Sequence, residues 1–285
     1  MGGPYPFDYA YLGSWGDHVS KPDPWDPQGH AFGLRISGTV FDGRFTLNGY
    51  YGRSHELARS ALGTATTSIY PWDGRLELHP DFEAYYPIFK FLGASFTKDI
   101  DCLRAAALGN VAPVVRFEGL YAFNSTFSSN DGNVPFYIAK QGDNFWKSDE
   151  LRLMVGADWK VRINPLNSRN FFFISAQGYW RHINDYPSDG IHLGNSVTDI
   201  VYRNEMTTTL LINTQYMTSR LQPSVFWLRN WATRGEFWKF ALSYEQNQTW
   251  KYTIGAFIYS GAKATQDLQP YNYKDHVFAT VSYRF

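Results

Sequence analysis

Cysteine is nearly absent: Cys102 stands alone in 285 residues, so a disulfide framework is excluded. Charge is scarce too, at 18% against roughly 25% in ordinary soluble domains. It balances to a formal net charge of zero, which leaves no basic excess for a nucleic-acid partner. No run approaches the ~18 consecutive apolar residues of a transmembrane helix. Residues 1–15 have no basic n-region and no apolar h-region, so they do not read as a signal peptide. The histidines (His18, His30, His55, His79, His182, His192 and His276) show no metal-ligand spacing on a shared strand face. No metal and no cofactor is expected. What the chain has in plenty is aromatic side chains, 18% of the residues, enough with the aliphatics to exclude disorder.

The recurring period is two, not 3.6. Leu151, Leu153, Val155, Ala157, Trp159 and Val161 alternate with Arg152, Met154, Gly156, Asp158, Lys160 and Arg162. The tail repeats the pattern, with Val277, Ala279, Val281, Tyr283 and Phe285 on one side. Such alternation marks strands with one apolar and one polar face. About eleven segments qualify: 30–40, 43–53, 86–98, 112–124, 149–162, 169–182, 204–217, 222–232, 236–246, 249–260 and 275–285. They are about twice the length of a globular strand and match what a tilted membrane-crossing strand needs. A short helical turn fits 103–108.

Connections are short at Asp42-Gly43, 164–167, 218–221 and 247–248, and long at 54–85, 125–148, 183–203 and 261–274. Short and long largely alternate, as periplasmic turns and outer loops do in outer-membrane barrels; the short link at 232–235 is an exception. The fold class expected is therefore all-β, an antiparallel transmembrane β-barrel with about 11–12 strands visible. With the last strand ending in the periplasm, residues 1–29 become an outer loop and 30–285 the strands of a single barrel domain. Bacterial single-chain barrels have even strand numbers. An odd count points to an N-terminally truncated part of a larger barrel, lacking a strand and a signal peptide upstream; the alternative is a strand overlooked in 1–29 or 54–85.

A soluble sandwich and a porin share this alternation, so pattern alone does not separate them. Strand length favours the membrane. So do aromatics at strand ends, where Trp159, Trp180, Tyr216, Trp231, Trp238, Trp250 and Tyr252 would form interface girdles. The polar face is expected to carry Arg35, Arg44, Arg116, Glu118, Arg152, Asp158, Lys160, Arg181, Glu205, Arg229, Lys239 and Glu245. An Arg or Lys facing lipid at mid-depth costs about 2–4 kcal/mol, so these residues are expected to line the pore. Arg116 and Glu118 could pair there with Asp158 or Lys160. The terminal Val281, Tyr283 and Phe285 resemble the signal read by the barrel assembly machinery.

Several stretches carry a further resemblance. Tyr86-Pro87 leads to Phe91-Leu92-Gly93-Ala94-Ser95-Phe96, then Val115-Arg116-Phe117-Glu118-Gly119-Leu120-Tyr121. Met154-Val155-Gly156-Ala157-Asp158-Trp159 follows, then Ile163-Asn164-Pro165, Phe171 to Gln177, Gly261 and Lys274-Asp275-His276-Val277. In order and spacing these resemble the C-terminal part of a proteobacterial outer-membrane family catalogued as domain of unknown function 1302. The Val115 to Glu118 stretch departs from the Arg-Gly-Glu expected there. The resemblance implies a porin-like barrel, linked to movement of hydrophobic molecules, and supplies no catalytic residues.

Catalytic alternatives are weak. His192, Asn195 and Ser196 lie close together in a loop segment, and Asp185 and Asp189 flank Pro187 beside Gly190, which is turn chemistry. No enzyme is expected. Tyr70, Trp72 and Tyr271-Asn272-Tyr273 could stack on a ligand or anchor at lipid. The function expected is an outer-membrane channel for small or hydrophobic solutes in a Gram-negative bacterium, with lipid and the assembly machinery as partners. A non-conducting structural or adhesive barrel and a soluble carbohydrate-binding protein are the rivals.

Overall fold

A computed structural model describes residues 19–20, 29–54, 58–69, 76–129, 145–187, 191–192, 200–261, 271 and 274–284. Its strands are β1 (Val19–Ser20), β2 (Phe32–Val40), β3 (Gly43–Arg53), β4 (Ala58–Ile69), β5 (Leu76–Tyr85), β6 (Ile88–Asp99), β7 (Val114–Ser129) and β8 (Phe145–Val161). They continue with β9 (Phe172–Ile183), β10 (Ile191–His192), β11 (Ile200–Val201), β12 (Asn204–Asn213), β13 (Leu221–Asn230), β14 (Glu236–Glu245), β15 (Trp250–Ser260) and β16 (His276–Tyr283). No α-helix occurs among the described residues; the expected turn near 103–108 is two short 3₁₀ segments, Asp101–Leu103 and Ala106–Leu108.

Eleven strands pair antiparallel in one sheet, in the order β2-β3-β6-β7-β8-β9-β12-β13-β14-β15-β16. Each corresponds to one of the eleven alternating segments. Most are 9–12 residues long, while β7 and β8 reach 16 and 17. β2 and β16 are the two ends of the sheet and are not hydrogen-bonded to each other.

The region read as one long loop, 54–85, is structured differently. β4 and β5 form a hairpin, and β5 takes β1 alongside it in a separate three-stranded sheet. This corrects the plain-loop expectation for both 54–85 and the β1 part of 1–29. The hairpin is an excursion from the main sheet, because β3 pairs directly with β6 around it.

Asparagine side chains build several of the short turns. Asn247 Oδ1 accepts from the backbone N–H groups of Thr249 and Trp250, and Asn230 Oδ1 from those of Ala232 and Thr233. Asn167 Oδ1 accepts from Arg169 and Asn170, while its Nδ2 donates to Thr214 Oγ1 and Gln215 O in the next turn. The β2–β3 turn is centred one residue earlier than expected. Phe41 and Asp42 both have positive φ (49° and 58°), and Gly43 already pairs with Val40. Gly43 meets a different need: a Cβ there would lie 2.3 Å from Phe96 Cζ.

The polarity of the main sheet is inverted relative to a soluble sandwich. Along β15, Trp250, Tyr252, Ile254 and Ile258 are exposed, while Lys251, Thr253, Gly255 and Phe257 between them are half-buried. Thr46, Ser175 and Glu150 on the polar face are buried, Glu150 to 1%. Of the large exposed hydrophobics that sit on main-sheet strands, all but Tyr179 belong to the apolar face. The buried apolar cluster among the described residues is small: Phe127, Ile183 and Val201, flanked by Trp146 and Tyr186. It sits at the end that carries the long connections.

Candidate functional site

Strand register decides which side chains share a face, because directly paired residues project to the same side. Arg35 pairs with Asn48, Arg44 with Thr97, Thr97 with Arg116, and Arg116 with Gly156. Arg152 pairs with Arg181, and Arg181 with Glu205. Glu118, Asp158, Lys160, Lys239 and Glu245 fall on this same face. Eleven of the twelve expected polar-face residues are thus brought together.

Arg229 departs from them. It lies opposite Thr208 and Glu236, on the apolar face. Its guanidinium contacts Glu236 at 3.4 Å and stacks over the Trp231 ring at 4.6 Å. Trp227 and Trp238 both donate Nε1–H to Glu236 Oε1 at 2.8 Å. Alternation within β13 misleads here, because Phe226 and Leu228 occupy the polar side while Trp227 and Arg229 occupy the other.

Ion pairs rib the polar face. Arg116 meets Asp158 at 2.9 Å, Arg181 meets Glu205 at 2.5 Å, Arg152 meets Glu150 at 2.7 Å and Lys251 meets Glu245 at 3.3 Å. The first of these is one of the cross-strand pairings expected for Arg116. Glu150 was not singled out from the sequence; it closes the polar run Lys147-Ser148-Asp149-Glu150, where no alternation marks a face. Its Oε1 also accepts from Ser125 Oγ. Glu150 Oε2, Asp158 Oδ1 and the Nε atoms of Arg116 and Arg181 are buried without a hydrogen-bond partner among the described residues. Arg35, Arg44 and Glu118 have no ion pair there either.

A hollow of about 540 Å³ opens on this face, and residues from β2, β3, β6, β7, β8, β9 and β12 line it together. Neighbouring strands are about 4.8 Å apart, so side chains seven strands across reach one hollow only if the sheet curls around its polar face. Toward the long-connection end the face becomes apolar. A register shift between Ala122 and Ser125 turns both Ser125 and Phe127 to the polar side, where Phe127 pairs with Trp146. Asn124, with φ of 51°, carries the bulge.

Over β13–β16 the polar face holds a second feature, a strip of rings. Phe226, Phe237, Phe257, Tyr259, His276 and Phe278 contact one another with centroid separations of 4.8–6.4 Å. Lys239 Nζ lies 5.4 Å from the Phe257 ring centre.

The expected interface aromatics fall at the two strand ends. Trp180, Trp231 and Trp238 are at the long-connection end. Trp159, Tyr216, Trp250 and Tyr252 are at the short-turn end, where Trp159 Nε1 donates to Val111 O and Tyr216 OH to Leu166 O. Val281 and Tyr283 lie on the apolar face of β16, with Tyr283 edge-on to Trp250 at 4.8 Å. Phe285 lies outside the described residues, as do Tyr70, Trp72, Asp189, Asn195, Ser196, Asn272 and Tyr273. No family model and no curated protein matches the chain.

Proposed function

We propose that this chain forms the wall of an outer-membrane β-barrel and acts as a porin-like channel for small or hydrophobic solutes. The observation that carries this reading is the inverted polarity: the apolar face is the exposed one, and the charged face is concave and partly buried. In water such a sheet would leave a broad apolar surface unpaid for. In a bilayer the apolar band meets lipid, the two aromatic belts sit at the interfaces, and the charged face lines water. Strand lengths of 9–12 residues suit a tilted crossing.

β2 and β16 run in the same direction, being first and last of eleven alternating strands. An all-antiparallel closure therefore places an odd number of further strands between them. Lipid and the barrel assembly machinery are the partners this reading implies.

The test is refolding in detergent followed by gel migration with and without boiling, then bilayer conductance. A faster unboiled band with ohmic conductance supports the reading, and Arg116→Ala with Arg152→Ala should shift the reversal potential toward cations. A folded barrel without conductance favours the non-conducting alternative, with the Phe127 cluster closing the lumen. Soluble folded protein without detergent removes the membrane reading.

A further inference from the structure

We infer that the hollow on the polar face is a binding subsite for an aromatic monocarboxylate. The inference deepens the channel reading and rests on it for the direction from which a solute arrives. Three arginines line the hollow: Arg35, Arg152 and Arg181. Two carboxylates line it, Glu118 and Glu205. Glu205 is committed, since it holds Arg181 at 2.5 Å and also accepts from the backbone N–H of Tyr202. Arg152 is held by Glu150, which does not line the hollow. Arg35 has no ion pair or hydrogen bond among the described residues, and the Nε–H of Arg181 is buried without an acceptor. With Glu150 counted, three guanidiniums meet three carboxylates, and the two groups unpaired among the described residues are Arg35 and Glu118. Arg35 keeps its whole planar fork of donors free, which suits a carboxylate.

The remaining wall is mixed: Thr46, Asn48 and Ser95 line it hydrogen-bonded to one another, with Thr207, beside a set of apolar and aromatic side chains. Phe91, Leu120, Met154 and Tyr179 project into the same space. About 540 Å³ lies within the usual range for a small-molecule site. The chemistry is thus an anionic head for Arg35 and a ring that packs on Phe91 and Tyr179. A carbohydrate would want several free hydroxyls and amides, and here Thr46, Asn48 and Ser95 are already engaged with one another. An organic cation would have only Glu118 to meet it.

The experiment is equilibrium dialysis of the refolded chain in lipid nanodiscs, with empty nanodiscs subtracted. Three probes share one ring system: 2-naphthoate, 2-naphthalenemethanol and 2-naphthylmethylamine. The naphthoate should bind at least about tenfold tighter than the alcohol, the worth of one charge-assisted hydrogen bond. Arg35→Ala should remove most of that difference, while Arg35→Lys should restore part of it. Glu118→Gln should strengthen naphthoate binding, because it removes the unpaired negative charge. Two substitutions with opposite signs separate a charge effect from general damage. Equal binding of acid and alcohol, tighter binding of the amine, or a naphthoate affinity indifferent to Arg35→Ala would overturn the subsite. Liposome swelling with naphthoate is read separately. Binding without swelling keeps the subsite and removes the channel, and swelling without binding does the reverse.

Discussion

Position 254 and its neighbour 253 are adjacent in the chain and face opposite ways. Ile254 is 55% exposed on the apolar face, and Thr253 is half-buried, sharing a 2.9 Å hydrogen bond with Ser243 on the polar face. Placing arginine at each separates two environments that composition cannot. If the apolar face meets lipid, Ile254→Arg costs about 2–4 kcal/mol of folding stability in vesicles, being near mid-strand. Thr253→Arg costs much less, since the new charge enters the face that already holds Lys251 and Lys239. Urea unfolding titrations of both variants in the same vesicles check this. In a water-soluble fold Ile254→Arg would be nearly neutral, so the order of the two costs is the informative result. Arg229 is instructive in the same way. It sits on the apolar face but at the strand end, where Glu236, Trp227, Trp231 and Trp238 surround it. In a bilayer, a charge at that height would reach the interface along its own side chain.

The β2–β3 hairpin offers a test of turn chemistry. Phe41 has φ of 49°, in the left-handed region, and its side chain is 80% exposed. A side chain with a Cβ is strained there, and this ring gains no burial in return. Phe41→Gly should stabilise the hairpin by about 1 kcal/mol, read as a shift in the unfolding midpoint. A destabilisation would mean that the Phe41 ring has an interaction of its own at the short-turn end. The same hairpin shows what the sequence did and did not disclose. Eleven strands were legible because long alternation survives even where one face is mixed. The turn was placed one residue late, because Asp-Gly is a strong turn signal and Gly43 is needed for a different reason, its closeness to Phe96. The β4–β5 hairpin was not legible. Alanine, glycine, serine and threonine dominate Ala58–Ile69 and give little contrast between faces. In β5, Pro80 argues against a strand, yet it falls opposite Ala65 beside a register shift, where a missing donor is tolerated. The bulge after Ala122 could not be read either. It moves Phe127 to the polar side through backbone register, and no residue pattern announces it. Much of the charged face was legible, because alternation is clean along β2, β3 and β8; Glu150 and Lys251 were missed, and the ion pairs needed register to be seen.

For the molecule as a whole, the claim that matters is its orientation: lipid outside, water along the charged concave face. A sheet with 11 antiparallel strands and, among the described residues, no apolar layer against its exposed side has two ways to be stable. Either a bilayer covers the apolar face or another protein layer does. The small buried cluster at Phe127, Ile183 and Val201 is too local to serve as that layer. The most direct measurement is a nitroxide scan along β15 in lipid vesicles, with one label at a time from position 251 to 258. Relaxation by oxygen reports lipid, and relaxation by a water-soluble nickel chelate reports water. Labels at 252, 254, 256 and 258 should respond to oxygen, and those at 251, 253, 255 and 257 to nickel, with a period of two. The inverse pattern, or nickel access at every position, would contradict the orientation and with it the channel.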